Sequence, residues 1–392
     1  MKANVDDTTL LLRIVQCLLS EVCNNQRTSY DDFIEYCLSY LIELARKKGI
    51  TPEHVMKSEQ KNIDKCGALL NTLLSDTPSP NAEIARQNLS LFPKIRSFFG
   101  EALFQTEGNT LLTMLSMEDL VDFSSIKRQL QETEDERKNK VLLCWLNNNI
   151  LPLLSFLSYL EDLFSVMDSN EKGTRELRTR LCGKQFYETL SELELFGRLR
   201  KKGIQFEPYP DIEREVDGLM RMSKADALVK CGDSEIVVEV LMPDLQKELK
   251  YWGSAMLKNR LLHKVVDEYA KHFKGMKKMR KILFVVDTTR SHDPFHFAED
   301  VMKGPEVITF TIDKGTIIEV SVNREESKSV IKRHSEINLA GIIAYRRQQM
   351  PWGHYATLGI FYENPHVMTE EERKICKEIF KALVDFEHTD SK

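Results

Sequence analysis

The stretch that decides the fold spans residues 224–241 and reads K-A-D-A-L-V-K-C-G-D-S-E-I-V-V-E-V-L. Two runs rich in apolar and β-branched residues lie on either side of Cys231-Gly232-Asp233-Ser234, whose Gly-Asp centre is typical of a hairpin turn. The stretch therefore predicts two antiparallel strands, 224–230 and 234–241, joined by this turn.

The hairpin places two carboxylates opposite each other. If the turn is symmetric about Gly232 and Asp233, Asp226 pairs with Glu239 across the strands. Their β-carbons are then about 4.5–5.5 Å apart, where like charges destabilise the pair unless a cation bridges them or one carboxylate takes up a proton. This register separates apolar from polar side chains, and a slip of one residue would mix them on both faces of the hairpin. One face of the hairpin is wholly apolar and consists of Ala225, Ala227, Val229, Ile236, Val238 and Val240.

Glu239 stands in an otherwise apolar run of the second strand, residues 236–241. Its neighbours are Val237, Val238, Val240 and Leu241. A buried, ionised carboxylate costs several kcal/mol unless something pairs with it or a metal binds it. The strand therefore predicts either an ion pair or a metal ion at Glu239.

The composition is that of an ordinary soluble globular protein, with 42% hydrophobic and 29% charged residues. The 392 residues are enough for two or three domains. The eight cysteines form no C-x-x-C pair, so neither a disulfide framework nor a zinc ribbon is expected. We expect reduced thiols and a cytoplasmic, intracellular protein.

No signal peptide and no membrane span are expected. The N-terminus lacks a basic segment followed by an apolar core, and the apolar run over 141–160 is interrupted by Asn147, Asn148 and Asn149. The sequence contains no G-x-x-x-x-G-K-[ST], G-x-G-x-x-G or G-x-S-x-G motif. An NTPase, a dinucleotide enzyme and a serine hydrolase therefore have no motif support.

Charge argues both against and for binding to nucleic acid. The formal net charge of −5 argues against a general nucleic-acid binder. Residues 247–281, however, hold eleven Lys or Arg against three acids. One interpretation is that this segment forms a basic helix beside the acid pair and binds a phosphate backbone. The alternative is that its charges form an ordinary solvated helix face.

The patterning divides the chain into a helical N-terminal region, 1–170, and an α/β domain, 184–392. The first region carries no recognisable chemistry, and we expect its helices to contact a protein partner. The predicted elements are helices near 80–105, 110–133 and 136–168, a polar linker at 167–173, a helix over 184–202, a strand at 204–207, the hairpin, a basic helix over about 247–273, strands at 281–287, 306–312, 315–322 and 340–346, and a closing helix that begins with a capping box at Thr369. This order predicts an α/β (α+β) fold, with a mixed sheet flanked by helices.

The segment from 184 to about 290 resembles the PD-(D/E)xK nuclease superfamily, which has the restriction-endonuclease-like fold. The likeness lies in the order of helix, strand, Asp-bearing hairpin, Glu-bearing strand and basic helix. Asp226 matches the Asp of the motif and Glu239 matches the Glu. Ala225 stands where Pro is usual, and Leu241 stands at the Lys position. This segment is about a quarter of the chain, the domain 184–392 in which it lies is roughly half of it, and the motif is short.

The resemblance implies a metal site for phosphodiester hydrolysis. Asp226, Glu239 and the backbone carbonyl of Val240 would hold Mg²⁺ or Mn²⁺, which activates water and offsets the charge growing on the phosphate. Family members often add a Glu from the first helix. Glu192 or Glu188, an i,i+4 pair, matches that position, and the alternative is that both are solvated helix residues.

The Lys of the motif orients or deprotonates the attacking water, so its loss bears on activity. In the symmetric register Lys224 faces Leu241 on the side of Asp226 and Glu239. One hypothesis is that the ammonium group of Lys224 replaces the missing Lys. The alternative is that Lys224 and Lys230 form ordinary ion pairs, with Asp226 and Glu235 respectively.

Two further candidates follow predicted strands. His292 and His296, in the stretch S-H-D-P-F-H over 291–296, offer two imidazoles but no third spaced ligand for a metal. Arg346 and Arg347 can meet a phosphate or neutralise the carboxylate-rich surface.

The sequence thus favours two functions. The first is a metal-dependent nuclease acting on DNA or RNA through Asp226, Glu239, Lys224 and Glu192. The second is a pseudo-nuclease, in which the fold is retained as a binding or scaffolding module.

Overall fold

The computed structural model describes residues 81–105, 109–116, 151–168, 172–183, 185–216, 219–232, 234–242, 280–290, 296–304, 306–313, 316–329, 332, 338–349 and 355–387. The described residues fall into two compact units. The first unit contains those up to 168 together with Arg178–Phe186, Gln349 and Tyr355, and the second contains the others.

Four helices are described in the N-terminal region, followed by four in the rest of the chain. The first four are α1 (Asn81–Leu89), α2 (Pro93–Phe99), α3 (Thr110–Ser116) and α4 (Leu151–Phe164), and a 3-10 turn, Gly100–Phe104, follows α2. The others are α5 (Lys172–Leu181), α6 (Phe186–Lys201), α7 (His296–Lys303) and α8 (Glu370–Leu383). None of the described helices is both long and apolar enough to cross a membrane.

The single helix predicted over 80–105 is wrong, because the chain breaks before Pro93. Proline has no N–H and disfavours a helical conformation in the residue before it, and Phe92 has φ −126° and ψ 75°. The carboxylate of Glu161 on α4 accepts the N–H groups of Lys94 and Ile95, each at 2.8 Å. These contacts satisfy two of the N–H groups that a helix leaves free at its start.

The polar linker predicted at 167–173 is also wrong in part, because α5 begins at Lys172. The helix predicted over 184–202 is confirmed as α6. Gly203 follows it with φ 70°, a left-handed conformation that glycine adopts without strain and that is common where helices end.

The main sheet has seven strands and mixed directions, which confirms the predicted α/β class at this level. Its strands are β1 (Phe206–Pro208), β4 (Ala227–Cys231), β5 (Ser234–Leu241), β6 (Lys281–Asp287), β9 (Leu339–Gln349), β10 (Tyr355–Glu363) and β11 (Phe386–Glu387), in the spatial order β1-β4-β5-β6-β9-β10-β11. Strand β4 pairs antiparallel with β1 and β5, whereas β6 pairs parallel with β5 and β9.

Two separate two-stranded sheets complete the described strands. They are β2 (Asp211–Val216) with β3 (Leu219–Lys224), and β7 (Glu306–Asp313) with β8 (Thr316–Arg324). The strands β7 and β8 were predicted at 306–312 and 315–322, whereas the pairing of β2 with β3 was not predicted. Met220 and Met222 of β3 are exposed.

The symmetric register of the hairpin is confirmed. Ala227 lies opposite Val238, and Lys230 lies opposite Glu235. Gly232 in the turn has φ 57°, a conformation that residues with a Cβ rarely adopt. The first strand of the hairpin, however, begins at Ala227 and not at residue 224.

Strand β6 forms the centre of the sheet and is buried on both faces. Its side chains Ile282, Phe284 and Val286 point to one face, where they pack against Ala298 and Val301 of α7. Helix α6 lies on the opposite face, where Ser191 contacts Asp287 at the end of β6. A run of apolar residues with little alternation is typical of a strand covered on both sides.

The closing helix α8 begins with the predicted capping box. The Thr369 hydroxyl accepts the N–H of Glu372 at 3.2 Å, and the Glu372 carboxylate accepts the N–H of Thr369 at 2.7 Å.

Other predictions lie outside the described residues. These are the parts of the helical N-terminal region before residue 81 and over 117–150, which include much of the helices predicted over 110–133 and 136–168, and the basic segment 247–281, of which only Arg280 and Lys281 are described.

Candidate functional site

Asp226 lies immediately before β4, at the end of the sheet where β5 finishes. Its Oδ2 atom accepts a hydrogen bond of 2.7 Å from the backbone N–H of Val240. Because Ala227 pairs with Val238, the preceding residue Asp226 comes to the level of Glu239. The structure thus brings together the Asp, the Glu and the main chain of Val240 that the sequence singled out.

Glu239 is buried, with only 5% of its surface exposed. It pairs in register with Phe284 of β6, and its neighbours Val238 and Val240 are themselves buried. An ionised carboxylate in such surroundings is stabilised only by donors or cations, because water does not solvate it freely. The burial of Glu239 that the sequence predicted is thus confirmed.

Glu192 of α6 is buried as well, so the alternative of a solvated helix residue does not apply to it. The hydroxyl of Tyr209 donates a hydrogen bond of 2.5 Å to its Oε2 atom. The backbone N–H of Tyr209 donates to the carbonyl of Asp226 at 3.0 Å. Glu188, one helical turn earlier, is half-buried. Glu192 is therefore the helix acid that is linked to the hairpin.

The expected position of Lys224 opposite Leu241 is wrong. Lys224 is the last residue of β3, where it pairs with Asp211, and its Nζ atom lies 2.6 Å from a carboxylate oxygen of Glu176 on α5. The sequence missed this because it gave no signal for the β2–β3 hairpin, which takes up the residues before Ala225. Leu241, at the Lys position of the motif, packs against the apolar cluster around Phe284.

The ion-pair alternative fits Lys230. Its amine lies 3.6 Å from Glu207 and 4.0 Å from Glu235, which also pairs with Arg280 at 2.8 Å. These pairs are partly exposed and contribute little to stability.

The described part of the chain contains no group of three or more His, Cys, Asp or Glu side chains that could together hold a metal ion. A cation bound by Asp226 and Glu239 would therefore need main-chain oxygen or water to complete its coordination. His296 begins α7, and His292 lies outside the described residues.

A second charged cluster was not predicted and lies on the α6 face of the sheet. Asp287 ends β6, Arg347 belongs to β9, and Ser191 and Glu194 belong to α6. The guanidinium of Arg347 contacts the Asp287 carboxylate and lies 3.6 Å from Glu194. The Ser191 hydroxyl donates to Asp287 at 2.6 Å. The sequence suggested that Arg347 neutralises carboxylates at the surface. It does neutralise carboxylates, but these are Asp287 and Glu194, which are buried in the fold.

The cluster extends along α6 towards the C-terminus. Arg198 contacts Glu194 at 3.3 Å and binds both carboxylate oxygens of Asp385 at 2.9 Å. Desolvation raises the pKa of Asp385, but the hydrogen bond and charge of Arg198, with the donors of Thr357, outweigh it, so the pKa lies below its ordinary value. The ionised carboxylate therefore joins α6 to the chain after α8.

No protein-family model, curated protein or solved structure matches the chain. Among the described residues, the surroundings of Asp226 combine two acids at one strand end, a tyrosine hydroxyl bound to a third acid, and main-chain groups. Carboxylate and carbonyl oxygens are the ligands that Mg²⁺ and Mn²⁺ prefer.

Removing Arg347 should destabilise the protein strongly. We expect Arg347→Met to lower the free energy of unfolding by about 3–5 kcal/mol, because Asp287 and Glu194 are fully buried and would lose their shared cation. Adding Asp287→Asn should restore part of this loss. Denaturant unfolding measures both effects, and a loss below about 1 kcal/mol for the single variant, the size of an exposed pair, would contradict the account.

The contribution of Asp385 should disappear in acid. Its folded pKa is lowered, so the ionised carboxylate stabilises the protein above the unfolded pKa of about 3.9, and this stabilisation is lost as the pH falls through the folded pKa. We expect the difference in unfolding free energy between the wild type and Asp385→Asn to be constant from neutral pH to about pH 5 and to shrink below about pH 4. A difference that grew with acidity would contradict the assignment.

Proposed function

We propose that residues 184–392 form a divalent-metal-dependent nuclease domain of the PD-(D/E)xK type, which hydrolyses phosphodiester bonds in nucleic acid. The observation that carries the proposal is the position of Asp226 at the level of Glu239, with its carboxylate bound to the amide of Val240. A pair of acids at one strand end is destabilised by its own charge, and a bound cation removes that repulsion.

The donor set fits a hard cation. Oδ1 of Asp226, the carboxylate of Glu239 and the carbonyl of Val240 are oxygen ligands, and Mg²⁺ commonly keeps several waters beside one or two carboxylates. When bound, such an ion supplies Lewis-acid stabilisation of the phosphate and lowers the pKa of an attacking water. The protein's part is to orient the two carboxylates through the hairpin and to limit solvent around Glu239.

The arrangement of the neighbouring elements supports the same proposal. Helix α6 precedes β1, and β1, β4, β5 and β6 are adjacent in the sheet in that order. This agrees with the order of elements on which the resemblance rests. The buried Glu192 on α6 corresponds to the additional acid that family members often carry on their first helix.

The proposed substrate contact is the basic segment 247–281. It follows β5 in the sequence and carries eleven Lys or Arg against three acids. Such a segment neutralises phosphates without reading bases, so binding should weaken as salt rises. DNA and RNA are equally compatible with this chemistry.

A second candidate function is a pseudo-nuclease that binds nucleic acid or protein without cleaving it. The observation that favours it is that no lysine takes the place of the motif Lys among the described residues. Leu241, at that position, packs against an apolar cluster, and the amine of Lys224 contacts Glu176. In this case the N-terminal helices would provide a protein-binding surface.

Metal binding can be tested without a known substrate. We expect the wild type to bind Mn²⁺ saturably in a calorimetric titration, and Glu239→Gln and Asp226→Asn to lose this binding, because each removes one of the two anionic ligands. Glu235→Gln, on the same strand but paired with Arg280, is the matched control and should bind as the wild type does.

The outcomes separate the two functions. Mn²⁺ binding together with cleavage of single- or double-stranded DNA or RNA supports the nuclease. Mn²⁺ binding without cleavage of any of these supports the pseudo-nuclease. Binding that survives both Glu239→Gln and Asp226→Asn, or no binding by the wild type, would contradict a metal site at the hairpin.

A further inference from the structure

Tyr209 connects two of the acids at the candidate site. Its hydroxyl donates a hydrogen bond of 2.5 Å to Glu192, and its backbone N–H donates one of 3.0 Å to the carbonyl of Asp226. The carboxylate of Asp226 in turn accepts the N–H of Val240 at 2.7 Å. A chain of hydrogen bonds therefore runs from α6 to the end of β5 through a single tyrosine.

The backbone of Tyr209 is strained. Its φ is 48°, and among the described residues it is the only one other than glycine with a positive φ. The residue that follows is Pro210, which pushes its predecessor towards extended conformations. A non-glycine residue in this region costs roughly 1–3 kcal/mol and persists only where the surrounding contacts hold it.

The corner between β1 and β2 makes contacts with α6 and with the residues before β4. The ring of Tyr209 is buried and meets the ring of Phe196 edge-on, with centroids 5.4 Å apart. The carbonyl of Pro210 accepts the N–H of Ala225 at 3.2 Å. The strained corner is thus fixed on one side to α6 and on the other to Ala225 and Asp226.

We infer that Tyr209 is a positioning residue, through which Glu192 holds Asp226 in place. The hydrogen bond to Glu192 stabilises the strained corner, and the corner fixes the chain at Asp226 so that its carboxylate stays on the Val240 amide beside Glu239. Glu192 then acts through Tyr209 and not as a metal ligand. This assignment deepens the proposed metal site and rests on it, and it accords with the lack of a three-acid cluster among the described side chains.

The test begins with the metal-free protein. Hydrogen exchange of the Val240 amide, followed by NMR, reports whether the Asp226 carboxylate stays in place. We expect Tyr209→Phe, which keeps the ring, to accelerate this exchange roughly tenfold, the equivalent of about one lost hydrogen bond. Glu192→Ala should have the same effect, and the double variant should exchange no faster than either single variant.

Two controls separate positioning from general loss of stability. Glu192→Gln keeps an acceptor for the tyrosine hydroxyl and should exchange as the wild type does. Tyr345→Phe removes a hydroxyl from a buried tyrosine of β9 and should leave the Val240 amide unchanged. Unchanged exchange in Tyr209→Phe, or equal acceleration in Tyr345→Phe, would overturn the assignment.

Mn²⁺ affinity provides the second readout. We expect Tyr209→Phe to weaken binding roughly tenfold, as removal of a group that orients a ligand commonly does, and to have no further effect in Glu192→Ala. Additive losses in the double variant would overturn the assignment. If the wild type binds no Mn²⁺, the metal site fails, and the exchange measurement still decides the role of Tyr209.

Discussion

The antiparallel register of β4 and β5 is the constraint on which the site depends. Gly232 closes the turn in a left-handed conformation, and Ala227 then lies opposite Val238. Side chains alternate between the faces of a strand, so a slip of one residue would turn Glu239 towards the opposite face. It would also separate Glu239 from Asp226. The turn therefore determines both the apolar face of the hairpin and the meeting of the two acids.

Buried charge occurs on both faces of the sheet, and its setting differs. On the α6 face, Asp287 meets the guanidinium of Arg347, so its charge is neutralised within the fold. At the end of the hairpin, Asp226, the residue before β4, lies at the level of Glu239 in β5. The first arrangement fixes α6 on the sheet, and the second is the basis of the proposed metal site.

The sequence predicted those structural elements that are determined by residues close together in the chain. The hairpin turn, the apolar strand β6 and the capping box of α8 are of this kind. The position of Lys224 could not be predicted in this way, because β2 and β3 mix acids with exposed methionines and resemble a surface loop. The buried network had no local signal either, since Ser191 and Asp287 are 96 residues apart and Arg198 and Asp385 are 187 apart. The role of Tyr209 had no local signal in the sequence either, because it depends on the backbone conformation of this residue and on its hydrogen bonds to Glu192 and Asp226.

Anomalous X-ray scattering from crystals grown with Mn²⁺ tests whether Asp226 and Glu239 form the proposed metal site. We expect an anomalous peak within coordinating distance, about 2.0–2.6 Å, of a carboxylate oxygen of each residue. We also expect this peak to be absent from crystals of Glu239→Gln. An ordered hairpin with no peak between the two carboxylates, or a peak that persists in the variant, would contradict the proposal.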